Sequence, residues 1–307
     1  MQSSIHPAPS SALPRSAPTG ERAWGDLARN LLRLTKPRVT SLVLVTTACG
    51  AHVAPGPARP VRLIVTLLGV ALVVGSANAF NMYLERDSDR AMQRTRLRPL
   101  PAGQLRPELA FWFASSLALI GLVGLTVLVN SLTALLTALA FGAYVLLYTP
   151  LKRVTPWALH VGAIPGAMPP LIGWASVSGS VNFAAFTLFA MLFVWQLPHF
   201  LAIAIFRQSE YEMAGLRVLP AVKGLAATKR EIFGYLLLMM AVSLLPVYAG
   251  LAGFLYLSLA LVWSSVFAAW GLYGLGRQAG ARWARSLFFV SMPYLILVFG
   301  ALVLAPA

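Results

Sequence analysis

The chain is short of charge, and of acid above all. Of its 307 residues only nine are Asp or Glu, against 24 Lys or Arg, and charged residues make up 11% of the total; a water-soluble domain carries about a quarter. With 58% apolar residues and a mean hydropathy of +0.75, an ordinary soluble domain is excluded and a membrane protein is indicated. Cysteine is nearly absent too. Cys49 stands alone inside an apolar run, which excludes an internal disulfide and a metal site built on thiolates. The net charge of +15 would suit nucleic acid in a soluble protein. Here the bases fall between long apolar runs, so they read as determinants of membrane topology, and no nucleic-acid partner is expected.

What is plentiful is uncharged sequence of membrane-crossing length, about 20 helical residues for each span. Nine runs qualify: Val39 to Val53, Leu63 to Leu84, Leu109 to Val129, Leu132 to Tyr148, Ala158 to Val177, Phe183 to Phe206, Ile232 to Ala249, Phe254 to Leu275 and Ser286 to Ala305. They predict an all-α polytopic bundle of nine transmembrane helices. Lys and Arg alternate with it: 22 of the 24 lie before the first span or in the even-to-odd connections, and only Arg59 and Arg62 lie on the other side. The positive-inside bias therefore predicts a cytoplasmic amino terminus and an external carboxyl terminus. Met1 to Arg22, rich in Ser, Pro and Ala, is expected as a disordered tail, with residues 23–307 as the transmembrane domain. The tail's Arg content also leaves a transit-peptide reading open, and with it a mitochondrial inner membrane as the alternative to a bacterial one.

All nine acids fall on the predicted cytoplasmic side. Glu85, Asp87 and Asp89 close the second span, and with Asn81 they form a helical row in which Asn81, Glu85 and Asp89 stand at i, i+4 and i+8 and point to one volume. Carboxylates so placed repel one another unless a cation offsets them, and hard oxygen ligands suit Mg²⁺. The simpler alternative is a solvated helix end neutralised by Arg86 and Arg90. A second acidic pair, Glu210 and Glu212, lies beyond the sixth span on the same side of the membrane. Two acidic clusters, each followed by bases, make a plausible clamp for a diphosphate bridged by metal. The expected metal ligands are Asn81, Glu85, Asp89 and Glu210, with Asp87 as an outer partner. Arg94, Arg98, Lys152, Arg153 and Tyr148 are expected on the diphosphate.

These residues carry a family resemblance. The stretch Asn81-Met-Tyr-Leu-Glu85-Arg-Asp87-Ser-Asp89, with Arg94 and Arg98-Pro99 after it, resembles the first acidic motif of the UbiA superfamily of intramembrane prenyltransferases. Tyr148-Thr-Pro-Leu-Lys152-Arg153, Gly166-Ala-Met-Pro169-Pro170, Trp195-Gln196-Leu-Pro198-His199-Phe200 and Tyr211-Glu-Met-Ala-Gly215 continue it in order from residue 36 to about 224. Within that superfamily the motifs resemble the branch that farnesylates heme. The chain departs from the usual pattern at Glu85 and Glu210, where the family carries Asp, and at His160, where an amide is usual.

The resemblance implies helices around a central cavity capped by the cytoplasmic loops. It also implies transfer of farnesyl from farnesyl diphosphate to a vinyl group of heme B, giving heme O and diphosphate with Mg²⁺ as cofactor. Asn81, Glu85, Asp89, Lys152 and Arg153 would be catalytic, and His199, Trp195, Gln196 and Tyr211 would face heme. A downstream heme A synthase or an oxidase under assembly would take the product. Prenylation of a quinone precursor is the nearest alternative; a secondary transporter fits less well, because the ionisable groups gather at one surface rather than at the bilayer midplane. Gly162, Gly166 and Gly173 with Pro165, Pro169 and Pro170 are expected either to thin the fifth span for substrate or to serve close helix packing.

Overall fold

The structure is a computed structural model that describes residues 20–57 and 59–304. The described residues form helices and no strand: α1 (Gly20–Leu34), α2 (Pro37–Val53), α3 (Pro60–Asp89), α4 (Pro107–Leu128), α5 (Ser131–Gly142), a π-helical turn (Ala143–Tyr148), α6 (Thr149–Leu151), α7 (Ala158–Ser178), α8 (Phe183–Phe206), α9 (Gln208–Met213), α10 (Leu219–Lys223), α11 (Leu225–Val242), α12 (Leu245–Tyr248), α13 (Phe254–Gly274) and α14 (Ala281–Leu304). Local chemistry sets the ends. Pro37, Pro60 and Pro107 open α2, α3 and α4, where a missing N–H costs nothing. Asn130 and Asn182 cap α5 and α8 by accepting from the Thr133 and Ala185 amides at 2.8 and 3.0 Å. Gly179, at φ 68°, ends α7 in the left-handed conformation that glycine tolerates.

Each of the nine apolar runs falls on a helix or a continuous helical stretch. Seven stretches are long and apolar enough to cross a membrane: 60–89, 107–128, 131–151, 183–206, 225–248, 254–274 and 281–304. The other two runs correspond to α2, of 17 residues, and α7, whose glycines and prolines dilute its hydropathy. The chain is an integral multi-pass membrane protein. Its outer face carries bare Leu119, Val127, Leu139 and Ile296, as lipid-facing helices do.

Helix α8 is the most enclosed, packing on α7, α11 and α14, while α3 lies along α4 and α2 lies along α7. The α2–α7 contact is backbone to backbone: a Cβ on Gly173 would collide with the Thr47 carbonyl oxygen, and one on Gly50 with the Pro170 carbonyl. Small residues serve the same purpose in other membrane bundles, where close approach replaces a hydrophobic driving force. Despite Pro165, Pro169 and Pro170, α7 runs unbroken, so its small residues serve packing and do not open the span.

One helix is unexpected. The chain forms α1 from Gly20, so the tail assigned to residues 1–22 contributes its last three residues to a helix, and the remainder of that tail lies outside the described residues. Leu34 of α1 is fully buried among Ala79, Met82, Leu100 and Leu105, with Leu27 and Leu31 packed on the same cluster.

Candidate active site

The acidic row is helical to its end, because α3 runs past the last apolar residue of its span to Asp89. Asn81 and Asp89 are buried, at 2% and 0% exposure, and Glu85 is nearly so. Each finds a cation from a different part of the chain. Lys36 Nζ, at the junction of α1 and α2, donates to Asn81 Oδ1 at 3.0 Å. Lys152 Nζ, just beyond α6, donates to Glu85 Oε1 at 2.7 Å, and Arg98, in the loop after α3, donates to Asp89 Oδ2 at 2.6 Å. Thr149 Oγ1 accepts from Asn81 Nδ2 at 3.4 Å, and Thr95 Oγ1 donates to the Asp89 carbonyl at 2.8 Å.

The two lysines respond oppositely. Burial works to lower the pKa of Lys152, but Tyr148, whose ring lies 4.3 Å beneath Nζ, and Glu85 outweigh it and hold the ammonium above its ordinary range. Lys36 bonds only to a neutral amide. Burial first, then Arg98 and Lys152, bring it from 10.5 down to about 7. Glu85 and Asp89 pull the other way, but with no carboxylate bonded to the ammonium they offset only part of the lost hydration.

The second acidic stretch reaches the same end of the bundle. The Arg217 amide donates to the Lys152 carbonyl at 3.0 Å, fixing the segment after α9 to the residue that holds Glu85. Tyr211 of α9 is buried enough to push its phenol above the ordinary value, and it stands within electrostatic reach of Arg94, Tyr148, Lys152 and Arg207. Arg153 donates to Ser88 Oγ at 3.0 Å, closing the rim.

The structure therefore brings together Asn81, Glu85, Asp89, Arg98, Lys152, Arg153, Tyr148, Tyr211 and, through Tyr211, Arg94. It does not bring in Asp87, whose side chain is 67% exposed and meets only Arg86 and Arg90 on its own helix end. Glu210 is held by Arg207 one turn before it, and Glu212 accepts from Gln208.

Residues named for heme fall into two places. Tyr211 sits at the rim, whereas Trp195, Gln196 and His199 are buried on α8 and bonded to their neighbours. His199 Nδ1 pairs with Ser291 Oγ at 2.6 Å, Trp195 Nε1 donates to the Ser291 carbonyl at 2.8 Å, and the two rings stack at 4.8 Å. Gln196 Nε2 donates to the Leu192 carbonyl at 2.9 Å. His160 is bonded at Nε2 to Tyr235 OH at 2.7 Å, away from the acidic row. Lys36, Ser88 and Thr149 are the members that sequence reasoning missed. Lys36 lies 45 positions from its partner, and no spacing rule links them.

The row's chemistry fits a hard divalent cation. Asp89 Oδ1 is buried without a hydrogen-bond partner, so one carboxylate lone pair is held unspent beside Arg98. Among the described residues no group of three or more His, Cys, Asp or Glu gathers closely enough to hold a metal unaided. Mg²⁺ does not require that, since it takes one or two carboxylates and completes its shell with water and substrate phosphate.

Comparisons with known proteins give a consistent picture. A family model described as the UbiA prenyltransferase family matches residues 43–292. The chain is 54% identical over 245 residues to a protoheme IX farnesyltransferase of Sorangium cellulosum, covering 80% of this chain and 88% of that protein. It is 46% identical to one of Myxococcus xanthus, covering 91% and 95%. Among solved structures, a digeranylgeranylglyceryl phosphate synthase superposes with a TM-score of 0.79 at 16% identity, over 92% of this chain and 98% of that one. A UbiA homologue from Archaeoglobus fulgidus bound to GPP and Mg²⁺ superposes at 0.63 and 17%, over 89% and 99%.

Proposed function

The chain belongs to the UbiA prenyltransferase family, and from that premise we propose that it is a protoheme IX farnesyltransferase. The C–O bond of farnesyl diphosphate breaks and diphosphate leaves, a C–C bond forms at a vinyl group of heme B, and water supplies the hydroxyl of the hydroxyethylfarnesyl substituent of heme O. The observation that carries the chemistry is the row Asn81, Glu85 and Asp89, each member matched to a base from a different segment. The relatives named above carry the choice of acceptor.

Asn81, Glu85 and Asp89 would hold Mg²⁺, with Glu210 as the ligand from the second stretch. When bound, Mg²⁺ supplies positive charge against the diphosphate as the allylic bond ionises. Lys152, Arg98, Arg94 and Arg153 bind the diphosphate oxygens, and Lys36 adds a donor from the base of α2. Because Lys152 and Arg98 already hold carboxylates, they are prepositioned and need only turn from acid to phosphate. The Tyr148 ring keeps the Lys152 ammonium in place from below. Tyr211 closes the rim over the leaving group and excludes water. On the acceptor side Trp195, Gln196 and His199 shape the wall; with His199 Nδ1 engaged by Ser291, contact with heme falls to Nε2.

The enzyme resides in a bacterial inner membrane with the amino terminus and the acidic row at the cytoplasmic face, and hands heme O to a heme A synthase or an oxidase under assembly. Protein purified in detergent and given farnesyl diphosphate, Mg²⁺ and heme B is expected to form heme O, read by chromatography and mass. Turnover of a quinone precursor with none of heme B overturns the acceptor assignment; no prenyl transfer to either overturns the whole reading.

A further inference from the structure

Helix α1 has more apolar surface than the protein covers. Leu27, Leu31 and Leu34 lie against the ends of α3 and α4. The adjoining row, Trp24, Ala28 and Leu32 at i, i+4 and i+8, lies bare, with Trp24 73% and Leu32 61% exposed. Beyond that row on the same helix come Arg29 and Arg33, both exposed. Arg29 has the exposed Asp26 as its ion-pair partner at 3.2 Å, the only acid among the described side chains of α1.

The start of α2 sets the height of α1 relative to the bilayer. Thr35 and Lys36 turn the chain directly into α2, whose first residues present Arg38 and the bare Val39 and Leu42 outward. A helix joined by two residues to the start of a membrane-crossing helix runs at the headgroup level. A Trp and a Leu beside paired arginines match that layer chemically, apolar body inward and guanidinium toward phosphate.

We propose that α1 is a docking helix for anionic phospholipid, with Trp24 and Leu32 sunk below the headgroups of the leaflet at the active-site end and Arg29 and Arg33 on lipid phosphates. Charge complementarity selects the occupant, since the topology read from the sequence gathers most bases of the inter-helix connections at this end of the bundle, where they attract an anionic surface. The helix is also stitched to the acidic row. Asn78 Nδ2 donates to the Thr35 carbonyl at 3.3 Å, and the next residue, Lys36, reaches Asn81. Docking of α1 thus steadies the segment that delivers Lys36.

The test uses the full chain in nanodiscs, with Cys49→Ala so that one introduced thiol can carry an environment-sensitive dye. The dye is placed through Leu32→Cys, or through Asp26→Cys as the polar-side control. In discs containing phosphatidylglycerol the dye at 32 is expected to shift to the blue and to be quenched by brominated acyl chains, while the dye at 26 stays aqueous. In pure phosphatidylcholine, or after Arg29→Gln with Arg33→Gln, the shift at 32 is expected to be lost or reduced. A dye at 32 that stays aqueous in both lipids overturns the proposal, as does one equally buried in both, or one shielded only when a second protein is present. Both label sites are exposed, so folding is not at risk.

Discussion

Replacing Glu85 with Gln or Lys152 with Met separates the structural from the chemical role of the acidic row. The two side chains are 13% and 18% exposed and meet at 2.7 Å, so removing either charge strands the other in a poorly hydrated place. Breaking such a pair from one side costs about 3–5 kcal/mol. The double variant strands nothing, and its loss should fall short of the sum of the two single losses by up to about 3 kcal/mol. Unfolding titrated with sodium dodecyl sulfate measures all four proteins, and heme O formation measures their turnover. The expected pattern is dissociation: stability largely recovers in the double variant, whereas turnover stays lost if both groups serve the diphosphate as proposed. Strict additivity of the two stability losses would refute the ion pair, and an active double variant would refute its place in the chemistry.

Asp89→Asn should lower turnover by at least about 100-fold, the usual cost of losing one preorganised electrostatic group, while the protein remains folded and inserted; near-normal turnover at ordinary Mg²⁺ concentration would take Asp89 out of the site. Gly173→Ala should cost about 1–3 kcal/mol through overpacking at the Thr47 carbonyl, read by unfolding in sodium dodecyl sulfate; an unchanged unfolding transition would contradict the close approach. Lys36 has a folded pKa of about 7 against an ordinary 10.5. The unfolded chain therefore holds more protons between those values, and stability should rise with pH across that window and level off below 7. Lys36→Met should remove that rise, seen as the difference between the two stability–pH curves.

The spans were legible because they rest on composition alone. Length, apolarity and the alternation of bases located the helical stretches, and helical spacing carried Asn81, Glu85 and Asp89 onto one face of α3. Helix α1 escaped because its signal is amphipathic and short. Leu27, Leu31 and Leu34 recur at helical spacing, but Arg29, Asn30 and Arg33 between them make the segment look like a polar approach to the first span. The prolines of α7 left two readings open, a thinned span or close packing. A proline inside a helix removes a bond, yet in a packed bundle neighbouring helices hold the segment straight, and α2 approaches closely enough to do so.

The site divides along the same line. Residues that share an element with their partners could be placed from spacing; those recruited from elsewhere could not. Asp87 shows that spacing also excludes. It stands midway between Glu85 and Asp89, and two helical steps of about 100° each carry its side chain to the opposite side of α3, toward Arg86 and Arg90. Lys36 is the other case. Its role depends on α1 docking against α3 and α4, which fixes where Thr35 and Lys36 turn, and on the left-handed backbone at Lys36, φ 47°, that aims the chain into Pro37. A non-glycine residue held there costs energy, and the contacts on either side, Asn78 to the Thr35 carbonyl and Lys36 to Asn81, hold it in place. If those contacts set the turn, Asn78→Ala should loosen Lys36 and raise the KM for farnesyl diphosphate while leaving every residue of the acidic row intact. An unchanged KM would show that the turn holds Lys36 without help from Asn78.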